Sequence, residues 1–392
     1  MKTANEQHII VFDPIPFHGG SKVATMHAMQ QVQGQVHFHV LSAHPQSWKI
    51  SSSLLNAEQT FTVSCLPVFH WIAKQTQGGA YWIKQAYLLM MLFIYSVALY
   101  SRYLCRPNKI ILASGPGVDF SGYVLAHLLK LDAIQLVHGP VGKSRAARWC
   151  LSQGHQTFYL ESAKPTLMQT LGAKFGELPK HFHPFVNGIP QNLWPTHREE
   201  DKQWHQPSVF WAASLLKWKG LDLLIDSLQL NSLSQRVHTS VCYIKPEKTT
   251  AEVSQAPVAL NNTHWHEAPN DLDQIRANSD IYISTSLYEP FGLSTLEALA
   301  AGLIVIIPAD GAYWDHKLQH GYSCFKYCMN DADSLNKIID FVGQNLNHYR
   351  QVAKNGQKIA TQYKASETYR DIANAIECGD SVKRMHNLGD NR

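Results

Sequence analysis

Asp280 to Pro308 read DIYISTSLYEPFGLSTLEALAAGLIVIIP, and this stretch decides the fold. An apolar run at its start, Ile281 to Ser284, is typical of a buried strand, and a second apolar run, Leu303 to Ile307, follows near its end. A polar loop and a short helix, about Ser294 to Ala301, are expected between the two runs. A strand, a loop, a helix and a strand in this order predict one unit of a parallel α/β sheet.

The loop of this unit carries the residue types of a binding site. It follows the carboxyl end of a strand and leads into a helix N-terminus, where ligands bind in open α/β sheets and free backbone N–H groups favour an anion. Glu289 and Glu297 bracket the loop, and ionised carboxylates accept hydrogen bonds from hydroxyls. We expect a phosphorylated, hydroxyl-rich ligand. Ser294 and Glu297 also have the spacing of a capping box, which is the structural alternative.

Composition limits the class of protein. With 392 residues and an apolar fraction of 45%, the chain is expected to be globular and to form two domains. The net charge of +4 is too small to indicate a nucleic-acid partner. The seven cysteines include no CxxC pair, and the polar start, Met1 to Gln7, does not predict a signal peptide. We expect reduced thiols and a cytoplasmic protein.

The first half predicts a doubly wound domain over residues 1–190, because short β-rich runs alternate with helical segments. Gly19 and Gly20 lie in a strand-to-helix turn, where glycine lets a ligand approach the backbone; a plain tight turn is the alternative. His138 follows the carboxyl end of a strand, so it is a candidate site residue, with a structural histidine as the alternative. The expected strands are Ile9–Phe12, Val36–Leu41, Ile110–Ala113, Ile134–Val137, His155–Leu160 and Phe182–Val186.

The most apolar run of the chain is Ala86 to Tyr100. Three interpretations stay open: a helix buried in the domain core, a helix lying in a membrane interface, and a membrane-spanning helix, for which the run is short. Aromatic and basic residues flank it, as is typical of a membrane interface. A second basic and aromatic cluster, Lys143 to Trp149, could meet anionic lipid or form a solvated helical face.

The second half predicts a second domain over residues 208–365, after a linker over 191–207 that is polar and rich in proline and tryptophan. Lys219 lies in a loop before a helix N-terminus and can neutralise a phosphate as a point charge; an exposed loop lysine is the alternative. The tail, 366–392, is expected to contain a helix that can return to the first domain.

With both halves described, the chain resembles the family-4, GT-B-type retaining glycosyltransferases. The strongest match is the stretch Glu289-Pro-Phe-Gly-Leu-Ser-Thr-Leu-Glu297, the E-x7-E motif of that family, followed by Ala298-Leu-Ala-Ala-Gly302. Weaker matches are Gly19-Gly20, Asn187-Gly188-Ile189 and Lys219-Gly220. The resemblance implies two Rossmann-like doubly wound domains that face each other across a cleft, with the acceptor on the N-terminal domain and the nucleotide-sugar on the C-terminal one.

The resemblance also assigns roles. It implies that Glu289 holds a donor-sugar hydroxyl, that Glu297 accepts from ribose hydroxyls, and that His138 lies near the reacting sugar. Lys219 would add positive charge at the diphosphate, so the implied catalytic residues are Glu289, His138 and Lys219. The implied contacts to the nucleotide-sugar are Gly19, Gly20, Ser214, Lys219, Phe291, Gly292, Leu293, Ser294 and Glu297.

Two positions depart from the family pattern. Ser214 stands where the family commonly has an arginine, and a serine cannot clamp a phosphate bidentately. Lys217 is a candidate replacement for that charge. Lys245-Pro246 stands where the family has a glycine-rich turn, so recognition of the base is not predicted.

The resemblance implies transfer of a hexose-type sugar, with retention, from a UDP- or GDP-linked donor to a glycan or lipid-linked acceptor. Synthesis of a bacterial surface polysaccharide (capsule, O-antigen or exopolysaccharide) is the expected setting, with the enzyme in the cytoplasm and peripheral on the inner membrane face. We expect no cofactor and no metal requirement. The alternative is a catalytically degenerate GT-B protein that acts as a membrane-associated partner of a glycan assembly complex.

Metal-binding patterns are weak. Asp271-Leu-Asp273 is a D-x-D tripeptide, but it is expected to open a helix. The pairs His264 and His266, and His181 and His183, lack further ligands at recognisable spacing, so non-metal interpretations are preferred.

Overall fold

A computed structural model describes residues 6–52, 59–68, 77–104, 106–153, 155–172, 177–198, 206–246 and 251–377. The chain forms two compact units. The first unit contains Met1–Gly188 together with the C-terminal residues from Ala365, and the second contains Ile189–Lys364. Each unit is built around a parallel sheet, so the predicted fold class of two Rossmann-like domains is confirmed.

The sheet of the first unit has seven strands in the order β3-β2-β1-β4-β5-β6-β7, all paired in parallel. The reversal of strand order at β1 and β4 is the switch point beside which ligands bind in this class of sheet. The strands are β1 Gln7–Asp13, β2 Val36–Ser42, β3 Gln59–Cys65, β4 Lys109–Leu112, β5 Asp132–Val137, β6 Gln156–Leu160 and β7 Phe182–Phe185.

Helices cover the sheet of the first unit. The core lies between the strands and helices α3 and α4, where Ile10 and Phe12 pack with Leu88 and Leu92 of α3. The helices are α1 Gly20–Met29, α2 Pro45–Ser52, α3 Gly78–Tyr103, α4 Phe120–Leu129, α5 Arg145–Leu151 and α6 Lys164–Leu171, with α13 Ala365–Thr368 and α14 Arg370–Glu377 from the end of the chain.

The C-terminal helices are fastened to the first unit by polar contacts. The ammonium of Lys109, at the start of β4, donates to the carbonyl oxygens of Ala375 and Ile376 at 2.8 and 2.7 Å. A cation at a helix C-terminus is favourable because it faces the negative end of the helix dipole. The hydroxyl of Tyr369 donates to Asn187 Oδ1 at 3.2 Å. Residues 365–377 therefore pack as part of the first unit.

The sheet of the second unit has six parallel strands in the order β10-β9-β8-β11-β12-β13. β8, β11 and β12 are three of its four inner strands, and their apolar runs are buried because helices cover both faces. The strands are β8 Ser208–Ser214, β9 His238–Ile244, β10 Thr263–Glu267, β11 Ile281–Ile283, β12 Ile304–Ala309 and β13 Phe325–Cys328. The helices are α7 Leu221–Gln229, α8 Leu272–Ala277, α9 Leu293–Ala301, α10 Tyr313–Lys317, α11 Ala332–Gln344 and α12 Arg350–Ala360.

Within the stretch predicted as a linker, 191–207, the described residues 191–198 and 206–207 belong to the second unit. Thr196 donates from its hydroxyl to Asp273 Oδ2 at 2.6 Å, and Arg198 forms an ion pair with the buried carboxylate of Asp280. The polar composition of this stretch indicated a solvated connector. Among its described residues, however, these polar side chains find their partners on the second unit.

The apolar run Ala86–Tyr100 lies within α3, whose 26 residues are longer than the run suggested. One stripe of α3, which includes Leu88, Leu92 and Leu99, is buried in the core. The opposite face exposes large apolar side chains: Trp82, Ile83, Met90, Phe93, Ile94, Val97 and Tyr100. Among the described helices, α3 has the length and composition to cross a membrane. Burial in the core accounts for only one face of it.

Candidate active site

The candidate site of the second unit lies at the carboxyl ends of β8 and β11, two neighbouring strands. Lys219 ends a short helical turn after β8, and its ammonium forms an ion pair with the carboxylate of Glu289, in the loop after β11. Both side chains are about one-fifth exposed, with values of 18% and 21%. The ammonium also lies 4.1 Å from the centroid of the Trp218 ring. The two residues therefore form a fixed, partly desolvated charge pair at the carboxyl ends of these strands.

The two loops are locked together by backbone geometry. Gly220 has a φ of +74°, and a Cβ at this position would lie 2.2 Å from the carbonyl oxygen of Thr285. The hydroxyl of Thr285 donates to the carbonyl oxygen of Lys219 at 2.9 Å and accepts from the indole N–H of Trp211 at 2.9 Å. Glycine is required here by conformation and by space, and the close approach fixes Lys219 relative to the Glu289 loop.

Helix α9 begins beside this pair. Its N-cap is Gly292, with a φ of +83° and no side-chain cap, and its carbonyl oxygen accepts from the indole N–H of Trp314 at 3.1 Å. Ser294 lies inside the helix, so the capping-box alternative is wrong. An α-helix leaves its first N–H groups without intrahelical acceptors, and the helix dipole makes this end positive. The predicted residues Phe291, Gly292, Leu293 and Ser294 form this helix start.

Glu297 is held by an arginine that the sequence analysis missed. Arg276 of α8, which is 7% exposed at its side chain, donates to Glu297 Oε2 at 2.6 Å and to Asp273 Oδ1 at 2.7 Å. The guanidinium fixes the Glu297 carboxylate and leaves oxygens for other donors. Arg276 lies just before the stretch Asp280 to Pro308, and no spacing pattern in the sequence indicates it.

The contacts of Arg276 also account for the D-x-D tripeptide. Burial raises the pKa of Asp273, but hydrogen bonds from Thr196 and Arg276 outweigh it, and the pKa is lowered overall. The carboxylate is thus ionised and satisfied by protein donors. Asp271 is exposed. The preference for a non-metal interpretation of this tripeptide agrees with these contacts.

Ser214 and Lys217 do not supply the free positive charge of the arginine in the family pattern. Ser214 ends β8 opposite Ile244 of β9. The ammonium of Lys217 lies 2.9 Å from Asp222 Oδ2 in an exposed pair, so its charge is already engaged. Lys219 is therefore the predicted cation that faces the Glu289 loop.

A cleft of about 480 Å³ opens beyond the ends of β8 and β9. Lys245, at its rim, pairs with Glu267 at 2.6 Å. The remaining lining is mostly apolar: Leu215, Pro246, Val253, Ala256 and Pro257. A cleft with apolar walls and a few polar groups has the composition of a small-molecule site.

The predicted residues of the first unit lie at the carboxyl edge of its own sheet. Gly19 and Gly20 form the start of α1, and a Cβ at either position would meet nothing within 4 Å. Packing in the described chain therefore does not require glycine here, and the space beside this turn is open. Asp13, at the end of β1, forms a buried ion pair with Lys22 at 2.7 Å, which ties the loop before α1 to the sheet.

His138 follows β5 and is neutral. Its Nε2 lies 3.1 Å from the hydroxyl of Thr25, which donates its own proton to the carbonyl oxygen of Ser21 at 2.8 Å. Nε2 of His138 must therefore carry the hydrogen, which leaves Nδ1 as an acceptor. Nδ1 has no hydrogen-bond partner in the described part of the chain. Burial lowers the pKa of His138 to about 4, so at neutral pH it can accept a hydrogen bond from a ligand but cannot supply a proton as a cation.

The structure thus brings Lys219, Glu289 and the start of α9 together, with Glu297 on the first turns of that helix. It places Gly19, Gly20 and His138 in the first unit. The contacts that the sequence did not reveal are those of Arg276 and Thr285, and in both cases the partner lies far away in the chain.

Residues 194–359 match the family model of Glycosyl transferases group 1. This match covers most of the second unit, including every residue of the Lys219 and Glu289 site. No curated protein sequence matches the chain at a significant level.

Solved structures share the fold over nearly the full chain. Alr3699/HepE from Anabaena, solved in complex with UDP-glucose, has a TM-score of 0.69 at 15% identity and covers 94% of this chain and 99% of its own. A glycosyltransferase from Rickettsia africae has a TM-score of 0.69 at 13% identity, with coverages of 96% and 100%. WaaG, a glycosyltransferase involved in lipopolysaccharide biosynthesis, has a TM-score of 0.58 at 15% identity, with coverages of 95% and 100%.

These similarities at low identity establish the GT-B fold of two parallel-sheet domains. The family match covers the part of the chain that carries the paired carboxylates and the lysine. Residues 194–359 are thus a glycosyltransferase group 1 domain, in a chain that has the GT-B fold over nearly its full length.

Proposed function

We propose that this enzyme is a retaining glycosyltransferase that transfers a hexose from a nucleotide-sugar to a glycan or lipid-linked acceptor of a bacterial surface polysaccharide. The observation that carries the proposal is the Lys219 and Glu289 ion pair beside the N-terminus of α9. Positive charge and a carboxylate side by side suit a ligand that is anionic at one end and rich in hydroxyls at the other.

The diphosphate of the donor would lie between the start of α9 and Lys219. As the glycosidic bond breaks, negative charge grows on the leaving phosphate, and a fixed ammonium and helix end stabilise it without reorganising. Glu289 would accept from a sugar hydroxyl once Lys219 turns to the phosphate. Glu297, oriented by Arg276, would accept from the ribose hydroxyls.

The cleft at the ends of β8 and β9 would take the base. Its apolar walls suit the face of a pyrimidine or purine ring, and Lys245, which pairs with Glu267, offers a donor at the rim. UDP- and GDP-linked sugars both fit this description. The complex of Alr3699/HepE with UDP-glucose supports a uridine donor.

In the proposed reaction, the acceptor oxygen forms its bond to the anomeric carbon on the face from which the nucleoside diphosphate leaves. The bond from that carbon to the phosphate oxygen breaks, and its electron pair goes to the phosphate. The proton of the acceptor hydroxyl moves to the departing phosphate oxygen. No cofactor or metal enters this step. NMR of the product anomer tests it, because an inverted product contradicts retention.

Glu289→Gln tests the assignment of the site. The amide keeps the shape but loses the charge, and we expect transfer to fall about a hundredfold or more while the fold is retained. Asp333→Asn is the matched control, since Asp333 forms an exposed carboxylate–ammonium pair with Lys337 on α11, and it should leave the rate unchanged. Unchanged turnover in Glu289→Gln would contradict the assignment of the active site.

We also propose that the exposed face of α3 docks on a membrane surface and brings the enzyme to a lipid-linked acceptor at the cytoplasmic face of the inner membrane. Trp82, Phe120 and Trp149 form a chain of ring contacts, with centroids 5.2 and 5.0 Å apart, that joins α3 to the basic helix α5. Arg145 and Arg148 of α5 are exposed beside Trp149. Apolar and aromatic groups next to cations suit anionic lipid.

Flotation with vesicles rich in anionic lipid tests the docking. The wild-type protein should float with the vesicles, and Phe93→Gln with Ile94→Gln should remain behind. Phe341→Gln is the control, because this exposed apolar residue lies in the second unit. If the wild type ignores the vesicles, the exposed face of α3 has another role.

One observation favours the second candidate function, a non-catalytic partner of a glycan assembly complex. Ser214 supplies no charge and Lys217 is engaged by Asp222, so the phosphate site has fewer cations than the family pattern provides. Calorimetry against UDP- and GDP-sugars separates the two functions. Binding of either donor supports the enzyme, and no binding to any donor favours the partner.

A further inference from the structure

Three histidines converge in the first unit, away from the candidate active site. His8 on β1 pairs in register with His37 on β2, and His39 follows two residues later on the same face. One ring nitrogen of each histidine lies within 4.8 Å of those of the other two. Local spacing in the sequence does not reveal this trio, because it forms only when β1 and β2 pair.

The trio is buried. His8, His37 and His39 are 8%, 9% and 0% exposed. His8 Nδ1 lies 2.8 Å from His39 Nε2, and the rings of His37 and His39 stack with centroids 4.0 Å apart. Tyr103, the last residue of α3, packs against all three rings at 5.0 to 5.3 Å. The cluster thus joins two strands to the end of the apolar helix.

Polar neighbours contact His37 of the trio as they contact metal-binding imidazoles. His37 Nε2 lies 2.7 Å from the hydroxyl of Thr62 on β3, and His37 Nδ1 lies 3.7 Å from Glu6 Oε1. In metal sites the second ring nitrogen of a ligating histidine is commonly held by such an outer group. Glu6, about one-third exposed, offers a carboxylate at the open side of the cluster.

Hydrogen bonding within the described chain does not satisfy the trio. Nδ1 of the fully buried His39 has no partner among the described residues, and an unsatisfied buried polar group is destabilising. Desolvation by burial lowers the pKa of each of the three, and that of His39 falls to about 3. A metal ion binds the uncharged form of an imidazole.

We propose that His8, His37 and His39 bind one zinc ion, with the Glu6 carboxylate or a water as fourth ligand. Three imidazoles and an oxygen, with no thiolate, suit tetrahedral Zn²⁺. The ion lies at the amino ends of β1 and β2, whereas Gly19 and His138 follow the carboxyl ends of their strands. It therefore fastens β1 and β2 beside the end of α3 and takes no part in sugar transfer.

Zinc titration of the full-length protein tests the site. After removal of metal with a chelator, competition with a chromophoric zinc indicator should show one tightly bound equivalent, and zinc should raise the melting temperature. Thr62→Val keeps the shape of the side chain but removes the hydroxyl, and should weaken zinc binding about 10–100-fold. His264→Asn with His266→Asn is the matched control, and should bind zinc like the wild type.

Cobalt spectroscopy keeps the proposal testable if substitution of the buried histidines prevents folding. Co²⁺ added to the metal-free wild type should give the strong visible absorption of tetrahedral coordination, and an equivalent of Zn²⁺ should abolish it. His37→Asn should lose the band. The proposal would be overturned if the wild-type protein bound no tight equivalent of zinc. It would also be overturned if both His37→Asn and Thr62→Val kept the cobalt absorption band and the zinc affinity of the wild type.

Discussion

The two units share one class of sheet but place different chemistry on it. The second unit pairs its charges: Lys219 with Glu289, Arg276 with Glu297, and Arg198 with Asp280. The first unit buries neutral imidazoles, and the pKa values of His27 and His138 both fall to about 4. Charges that are partly exposed and paired can change partners when an anion binds. Neutral buried rings can only accept or donate hydrogen bonds. Under the proposed function, the second unit would therefore suit a charged leaving group and the first unit would suit uncharged hydroxyls.

The largest expected effect concerns Gly220 of the second unit, whose backbone packs against that of Thr285. Gly220→Ala places a Cβ against the carbonyl oxygen of Thr285 and strains a positive φ, so we expect a loss of about 3 kcal/mol in unfolding free energy. Gly311→Ala is the matched control, since Gly311 has a φ of +73° but open space around it, and should lose about 1 kcal/mol. Urea denaturation measures both. Equal losses of unfolding free energy in the two variants would show that the contact with Thr285 does not exclude a Cβ at position 220.

A smaller effect is expected at Glu297. Glu297→Gln weakens an acceptor oriented by Arg276, and a hydrogen bond to a charged group is worth about 1.5–3 kcal/mol. The KM for the nucleotide-sugar should therefore rise about tenfold or more, while kcat changes little. Steady-state kinetics with varied donor measures this. A fall in kcat at unchanged KM would assign Glu297 to the reacting sugar instead of the ribose.

The smallest effect is a pH dependence in the first unit. Burial lowers the pKa of His138 to about 4, and an unfolded histidine titrates near about 6.5. Between these two pKa values His138 binds a proton in the unfolded chain but not in the folded one. Its contribution to the free energy of unfolding is therefore fully present above about pH 6.5 and is lost as pH falls towards 4. Urea midpoints of metal-free protein at pH 7 and pH 5 measure it.

His138→Gln isolates this contribution, because glutamine does not titrate. The difference between the wild-type and variant midpoints should shrink or change sign as pH falls from 7 to 5. The comparison is needed because Asp119, whose pKa burial raises to about 7, acts in the opposite direction over the same range. A difference that does not vary with pH would mean that His138 titrates normally in the folded protein.

The fold was predictable where strands are apolar on both faces, as in β1 and β11. Two edge strands, β3 and β13, were missed, because they carry polar residues and lack a continuous apolar run, whereas the edge strand β7 was predicted. The stretch 191–198 was assigned to a linker for a related reason. Its polar side chains indicate solvent until the structure shows Asp273 and Asp280 as their partners.

The sequence by itself determined the Glu289 side of the candidate site, because a strand, a loop and a helix start are contiguous in the chain. Glu289, Gly292 and the start of α9 could therefore be placed from Asp280 to Pro308 alone. Only the tertiary structure decided which arginine holds Glu297, how Thr285 fixes the Lys219 loop, and that three histidines meet between β1 and β2. These contacts join residues that are distant in the chain, and their formation depends on strand order and register, which local sequence patterns do not encode.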